Sequence, residues 1–133
     1  MVDPLVGPKE FIWKSGEFGV MLGLAMEGVA KLGVGFQPAK DKLYRGIVGQ
    51  GAELVKGGEV QSLQVSTQPS PARLKLVTSR SHRADPIDRI VKELGITDEI
   101  ASGSVGLKGG LIAEQKAELI LNVPNKPPAW NAR

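Results

Sequence analysis

The chain has 133 residues, enough for one domain with a buried core, and its 41% hydrophobic and 23% charged content is that of ordinary folded proteins, which excludes disordered and fibrous classes. Seventeen Lys and Arg against fourteen Asp and Glu leave a net charge of +3, and the basic clusters Arg73-Leu-Lys75 and Ser79-Arg-Ser-His-Arg83 have no interleaved aromatics, which argues against a nucleic-acid surface. With no cysteine there are no disulfides, thiolate metal sites or cysteine nucleophiles, and no apolar run is long enough to span a membrane, so a cytoplasmic location is the default expectation.

The opening stretch, Val2-Asp-Pro-Leu-Val-Gly-Pro-Lys-Glu-Phe11, reads as the end of a short apolar strand that turns into a short helix, with Pro8 suited to a first helical position. From Glu17 to Gly28 apolar and small residues alternate: Phe18, Val20, Leu22, Leu24 and Met26 on one face, Gly19, Met21, Gly23 and Ala25 on the other. That pattern predicts a long strand whose small-residue face lies against a neighbouring layer. Glu27-Gly28 makes a turn, and Leu32, Val34 and Phe36 give a second strand ending at Pro38. Lys42 to Val48 and Ala52 to Val55 are further strands, with a possible short one at Leu63 to Val65. The first part is thus an antiparallel meander of about four strands.

Gln68-Pro-Ser-Pro71 is a hinge, dividing an antiparallel sheet with a short N-terminal helix (1–67) from an α/β part (72–133). After it, Leu74 to Thr78 begins a strand. Asp85 and Pro86 start a helix whose Ile87, Ile90, Val91 and Leu94 share one face, and Gly95 ends it. Ile96 to Ile100 reads as a strand, Ser102 to Gly106 as a glycine-rich turn, Leu107 to Lys116 as a helix and Glu118 to Leu121 as a strand. Gly109-Gly110 inside that helix implies close packing against another backbone. The result is a β-α-β-α-β segment, and the fold class is α/β, a layered sandwich of helices and sheets.

Several pieces, taken in order, resemble the inositol monophosphatase superfamily: Asp3-Pro-Leu-Val-Gly-Pro-Lys-Glu-Phe-Ile12, Gly16-Glu-Phe18, Leu32-Gly-Val-Gly-Phe-Gln-Pro38, Leu43-Tyr44, Gly49-Gln-Gly-Ala52, Thr78-Ser-Arg-Ser-His82, Ser102-Gly-Ser-Val-Gly-Leu-Lys108, Ala113-Glu114 and Trp130. Within it the Lys-Glu-Phe-Ile, Ser-Arg-Ser-His and Gly-Ser-Val-Gly-Leu-Lys pieces are most similar to the branch that hydrolyses 3′-phosphoadenosine 5′-phosphate, the bisphosphate nucleotidases. The resemblance implies a sugar-phosphatase-like fold and a Mg²⁺-dependent phosphomonoesterase acting on a phosphorylated nucleotide or inositol phosphate. It also implies an upstream portion that supplies metal-binding glutamates; this sequence does not contain it, so the expectation is a single truncated domain over 1–133.

By that resemblance the metal residues fall at Asp3, the Leu5 carbonyl and Asn131, the phosphate residues at Gly7 and Pro8, and the substrate residues at Ser81, His82, Gly106 and Lys108. The motif is degenerate. Val6 stands where a second aspartate belongs, Pro8 replaces a threonine and so lacks both hydroxyl and N–H, and Asn131 replaces a late aspartate. Mg²⁺ needs near-octahedral oxygen coordination, and losing two of three local carboxylates removes most of it. Each residue also has a plainer reading: Asp3 as a strand-end acid or helix cap, Ser79 to His82 as a polar strand end, Lys108 as a solvated helix-start lysine. Trp13 and Trp130 read as packing residues, Glu17 as a surface residue at a strand start, and no Ser/His/Asp triad is suggested.

Three functions remain open at this level. One is a degenerate, catalytically impaired phosphomonoesterase. A second is an active Mg²⁺-dependent bisphosphate nucleotidase completed by homo-oligomerisation or by a complementing N-terminal segment. The third is a non-catalytic module for a nucleotide, an anion or a protein. Apolar faces normally covered by the absent portion are expected to be exposed and to favour self-association.

Overall fold

The computed structural model describes residues 1–67, 70, 73–80 and 85–121. Strands β1 (Val2–Val6), β2 (Gly19–Met26), β3 (Val29–Gln37), β4 (Lys42–Ile47), β5 (Gly51–Lys56) and β6 (Glu59–Leu63) form one antiparallel sheet in simple sequence order. Helix α1 (Pro8–Ile12) connects β1 to β2. Two hairpins are closed by two-residue loops with both central φ angles positive: Glu27 and Gly28 at 52° and 76°, Gly57 and Gly58 at 57° and 83°. Such turns match the right-handed twist of the strands they join.

The sheet has six strands, not about four. The opening stretch joins it as an edge strand on β2, and the Gly57-Gly58 turn sets the register of β6, so that this strand lies at Glu59–Leu63 and ends where the sequence suggests it begins. β1 contains an irregularity: Asp3 pairs with Met21 and Val6 with Gly19, so three steps on β1 oppose two on β2, and the extra residue falls around Pro4 and Leu5.

The second sheet is parallel, with β7 (Lys75–Ser79) between β8 (Asp98–Ser102) and β9 (Leu119–Ile120). Helix α2 (Asp85–Leu94) joins β7 to β8, and α3 (Val105–Ala113) joins β8 to β9. The two crossovers run in opposite directions, so right-handed connections put α2 and α3 on opposite faces. On the α2 face Leu76, Ile87 and Ile96 form a buried cluster with Val91, Leu119 and Leu121 around it. Gly95, at φ 66°, ends α2, and the Ile96 N–H donates to the Val91 carbonyl at 3.0 Å. This is a glycine-terminated helix end in which the residue after the glycine also packs back on the last turn.

On the other face α3 lies between the two sheets, touching β2 and β3 on one side and all three parallel strands on the other. The small-residue face of β2 does meet a neighbouring layer: a side chain at Gly106 of α3 would collide with Met21. Gly110 also makes close packing, but against the ring of Tyr44, whose Cζ lies 2.8 Å from where a Cβ would stand, and not against a backbone. The helix starts two residues earlier and ends three residues earlier than its apolar pattern suggests. Ser104 adopts an extended conformation at the N-cap, and Gln115, at φ 57°, ends the helix with Lys116 N–H donating to the Leu111 carbonyl at 2.9 Å.

The outer face of the antiparallel sheet presents Leu22, Leu24 and Ile47, 44%, 51% and 42% exposed. Trp13, read from sequence as a packing residue, is exposed at the end of α1. The hinge expected at 68–71 lies outside the described residues apart from Ser70.

Candidate functional site

Two strand-to-helix turns approach one another. In the first, β1 gives way to α1 at Gly7, whose φ of 85° and ψ of 53° are left-handed and natural to glycine. Pro8 starts the helix and offers no N–H. Asp3 lies within β1 and does not cap the helix: its Oδ1 accepts the Leu5 N–H at 3.1 Å. Asp3 and Leu5 are both exposed, and Val6, an aliphatic residue, is half-buried at the end of the strand. No group of three or more His, Cys, Asp or Glu residues arranged to hold a metal occurs among the described residues. The two described residues expected to bind metal, Asp3 with its carboxylate already engaged by a backbone amide and Leu5 with one carbonyl, are too few donors for Mg²⁺. Asn131 lies outside the described residues.

The second turn, Gly103-Ser104, joins β8 to α3 at the carboxyl ends of the parallel strands, the position where open α/β sheets bind ligands. Glu10, from α1, is buried and reaches this turn. Its carboxylate fills the space a side chain at Gly103 would need, and its Oε2 lies 3.3 Å from where a Cβ on Gly7 would stand. Glu17 reaches it from the start of β2: its Oε2 accepts the Gly103 N–H at 2.8 Å, while its Oε1 accepts from Arg80 Nη2 at 2.7 Å. Its expected role as a plain surface residue is therefore corrected. It ties the start of one sheet to the ends of the other.

Lys108 sits one turn into α3, on the same face as Ser104. It is only 3% exposed and not a solvated helix-start lysine, and its Nζ donates to Ser79 Oγ at the end of β7 at 2.6 Å. Burial lowers the pKa of this ammonium, and the nearby negative charge of Glu10 acts in the opposite sense. Ser104 Oγ, in a residue 1% exposed, is a buried side-chain oxygen without a hydrogen-bond partner. A buried ammonium and a vacant hydroxyl on one helix face are suited to receive an oxyanion.

Of the residues singled out in sequence, the structure brings Gly7 and Lys108 into this one region, while Gly106 faces the antiparallel sheet under Met21. Ser81 and His82 lie outside the described residues. Glu10, Ser79, Arg80 and Ser104 are site residues that the sequence does not single out. They lie inside the quoted motifs, but neither periodicity nor spacing marks them.

A second polar group flanks the site. Glu114, just after α3, accepts hydrogen bonds from Lys42 Nζ at 2.7 and 2.6 Å, Tyr44 Oη at 2.5 Å and Lys116 Nζ at 2.7 Å. Burial alone would raise the Glu114 pKa, but the hydrogen bonds from Lys116, Lys42 and Tyr44 outweigh it and hold the pKa at about 2. Burial and the bond to Glu114 both push the Tyr44 phenol up, so it stays protonated and donates. Burial lowers Lys42, against the pull of Glu114. A cavity of about 170 Å³ is lined by Lys42, Tyr44 and Glu114 of this cluster and also by Glu17 and Ser102. A larger cavity, about 310 Å³, is apolar and glycine-lined, between Gly33 and Gly35 of the sheet and Gly106, Gly109 and Gly110 of α3.

Residues 1–130 match the inositol monophosphatase family. The chain is 36% identical over 119 residues to the 3′(2′),5′-bisphosphate nucleotidase CysQ of Salmonella typhimurium, covering 90% of this chain and 46% of that protein. Among solved structures it superposes on SuhB of Mycobacterium tuberculosis with a TM-score of 0.78 at 19% identity, and on CysQ of Bacteroides thetaiotaomicron with 0.76 at 30% identity. Each superposition covers 90% of this chain and 50% of the other, so the chain spans about half the length of the relatives it matches.

Proposed function

The chain belongs to the inositol monophosphatase family, and from that premise we propose that it is a degenerate, catalytically impaired relative of the bisphosphate nucleotidases that keeps an oxyanion-binding cradle. One observation supports this reading above the others: Lys108 is buried one helical turn from Ser104, whose hydroxyl has no partner, whereas the Asp3 junction has Val6 and Pro8 where charge and a phosphate donor would be needed. Burying a lysine whose pKa is depressed by that burial costs stability. An anion meeting Lys108 and Ser104 would recover part of that cost. Asp3, Leu5, Val6 and Pro8 would not draw Mg²⁺ with comparable force, and no hydrolytic step follows from these residues.

The test is calorimetric titration of the chain with inorganic phosphate and adenosine 3′,5′-bisphosphate, beside a phosphate-release assay with Mg²⁺. The expected outcome is saturable binding that Lys108→Met abolishes, with no turnover. Mg²⁺-dependent turnover that disappears on Asp3→Ala would overturn the impaired reading. The triple reversion Val6→Asp, Pro8→Thr and Asn131→Asp is expected to stay inactive in this chain by itself. A second reading, an active nucleotidase completed by another copy of the chain, is favoured by the apolar outer face at Leu22, Leu24 and Ile47. It requires turnover that rises with oligomer formation, as read by activity across a sedimentation series.

A further inference from the structure

Glu10 stands in the cradle without being paired to its cation. Its carboxylate occupies the space above Gly103, near Gly7 and Ser104, and its charge acts on Lys108. No ion pair joins the two: the Lys108 ammonium donates to Ser79. Two glycines, Gly7 and Gly103, leave the room this carboxylate takes, and a side chain on Gly103 would displace it. An anion that binds to Lys108 and Ser104 therefore arrives beside a second, resident anion. A carboxylate accepts hydrogen bonds and donates none.

We propose that Glu10 determines which oxyanions the cradle admits, selecting those that keep a proton to donate. This rests on the reading of Lys108 and Ser104 as an anion site and goes one step beyond it. At neutral pH hydrogen phosphate has both an ionised oxygen for Lys108 and an O–H for Glu10. Sulfate has only ionised oxygens, so against Glu10 it meets an acceptor with nothing to offer it. Rejection by an unpaired acceptor is the stronger form of selectivity, because the wrong ligand leaves a buried polar group unsatisfied and adds like-charge repulsion. The ligand class that satisfies both groups is a phosphate monoester or free phosphate with a protonated oxygen or an adjoining hydroxyl.

The experiment compares phosphate, arsenate and sulfate by titration calorimetry at one neutral pH and ionic strength, on the full chain and on Glu10→Gln, Glu10→Asp and Lys108→Met. For the unmodified chain phosphate and arsenate are expected to bind about tenfold or more tightly than sulfate, a comparison that needs no variant to fold. Glu10→Gln keeps the shape, supplies a donor, and should bring sulfate to within about threefold of phosphate. Glu10→Asp keeps the acceptor and should keep the preference. A purely structural role for Glu10 would change both affinities alike and leave their ratio fixed. A ratio unmoved by Glu10→Gln, or equal binding of phosphate and sulfate to the unmodified chain, overturns the proposal while leaving the anion site standing. Binding of neither anion, or binding indifferent to Lys108→Met, overturns the anion site itself.

Discussion

The β1–α1 junction and the β8–α3 turn are made of similar material, a strand ending at a glycine before a helix, but they hold their polar groups in opposite ways. At the first, Asp3 is exposed and satisfied by its own backbone, and Val6 and Pro8 present nothing to a ligand. At the second, Glu10, Ser104 and Lys108 are all buried, Glu17 holds the Gly103 N–H, and Ser79 of β7 accepts from Lys108. The difference shows where a fold can lose chemistry cheaply. An exposed carboxylate on an edge strand can lose its partners with little effect on folding, whereas each member of a buried polar group holds others in place.

The sharpest way to break this comparison is to remove an anion from the buried side. Glu114→Ala leaves Lys42 and Tyr44 without their acceptor and should cost about 3–5 kcal/mol, read as a lower urea midpoint with unchanged slope. A loss below about 1 kcal/mol would mean that the buried side is no more interdependent than the surface. Next comes Gly103→Val, which must displace the Glu10 carboxylate and should cost about 1–3 kcal/mol. Acid offers a graded version. Because the Glu114 pKa falls from 4.5 to about 2 on folding, its contribution is fully present above pH 4.5 and is lost as the pH falls toward 2. Thermal unfolding followed down through that window should show a decline that Glu114→Gln removes.

The smallest effects are expected at the two ends of the comparison. Ser104→Ala removes a hydroxyl that has no partner and should change stability by less than about 1 kcal/mol, in either direction. Asp3→Ala should stay within about 0.5 kcal/mol, and millimolar Mg²⁺ should not raise the melting temperature. A rise of several degrees with Mg²⁺ that Asp3→Ala abolishes would show that the junction still holds its ion.

The sequence made the local grammar visible. Asp85-Pro86 and Gly95 frame α2, Glu27-Gly28 closes a hairpin, and the alternation of β2 assigns the face that meets α3. The short β6 was less legible because its register depends on the Gly57-Gly58 turn and on pairing with β5, not on its own weak alternation. The site was only half legible. Lys108 and Gly7 stand out in motifs, but Glu10 and Glu17 are defined by what they reach, and Glu17 meets Gly103 across 86 positions. A carboxylate in a five-residue helix has too short a period to betray its direction. Of Gly109-Gly110 only Gly110 is tightly packed, Gly109 having open space, and nothing local says that a tyrosine ring from β4 will lie across α3.

The irregularity at Pro4 and Leu5 has a consequence for how this chain meets others of its kind. A sheet with an apolar outer face and a free edge is a template on which fibrils grow, strand after strand in register. On β1 that template is spoiled: Pro4 has no N–H to give, and the residues on either side of it are out of step by one. An incoming strand would find the ladder interrupted within its first few rungs, so along this edge the sheet is protected from endless extension.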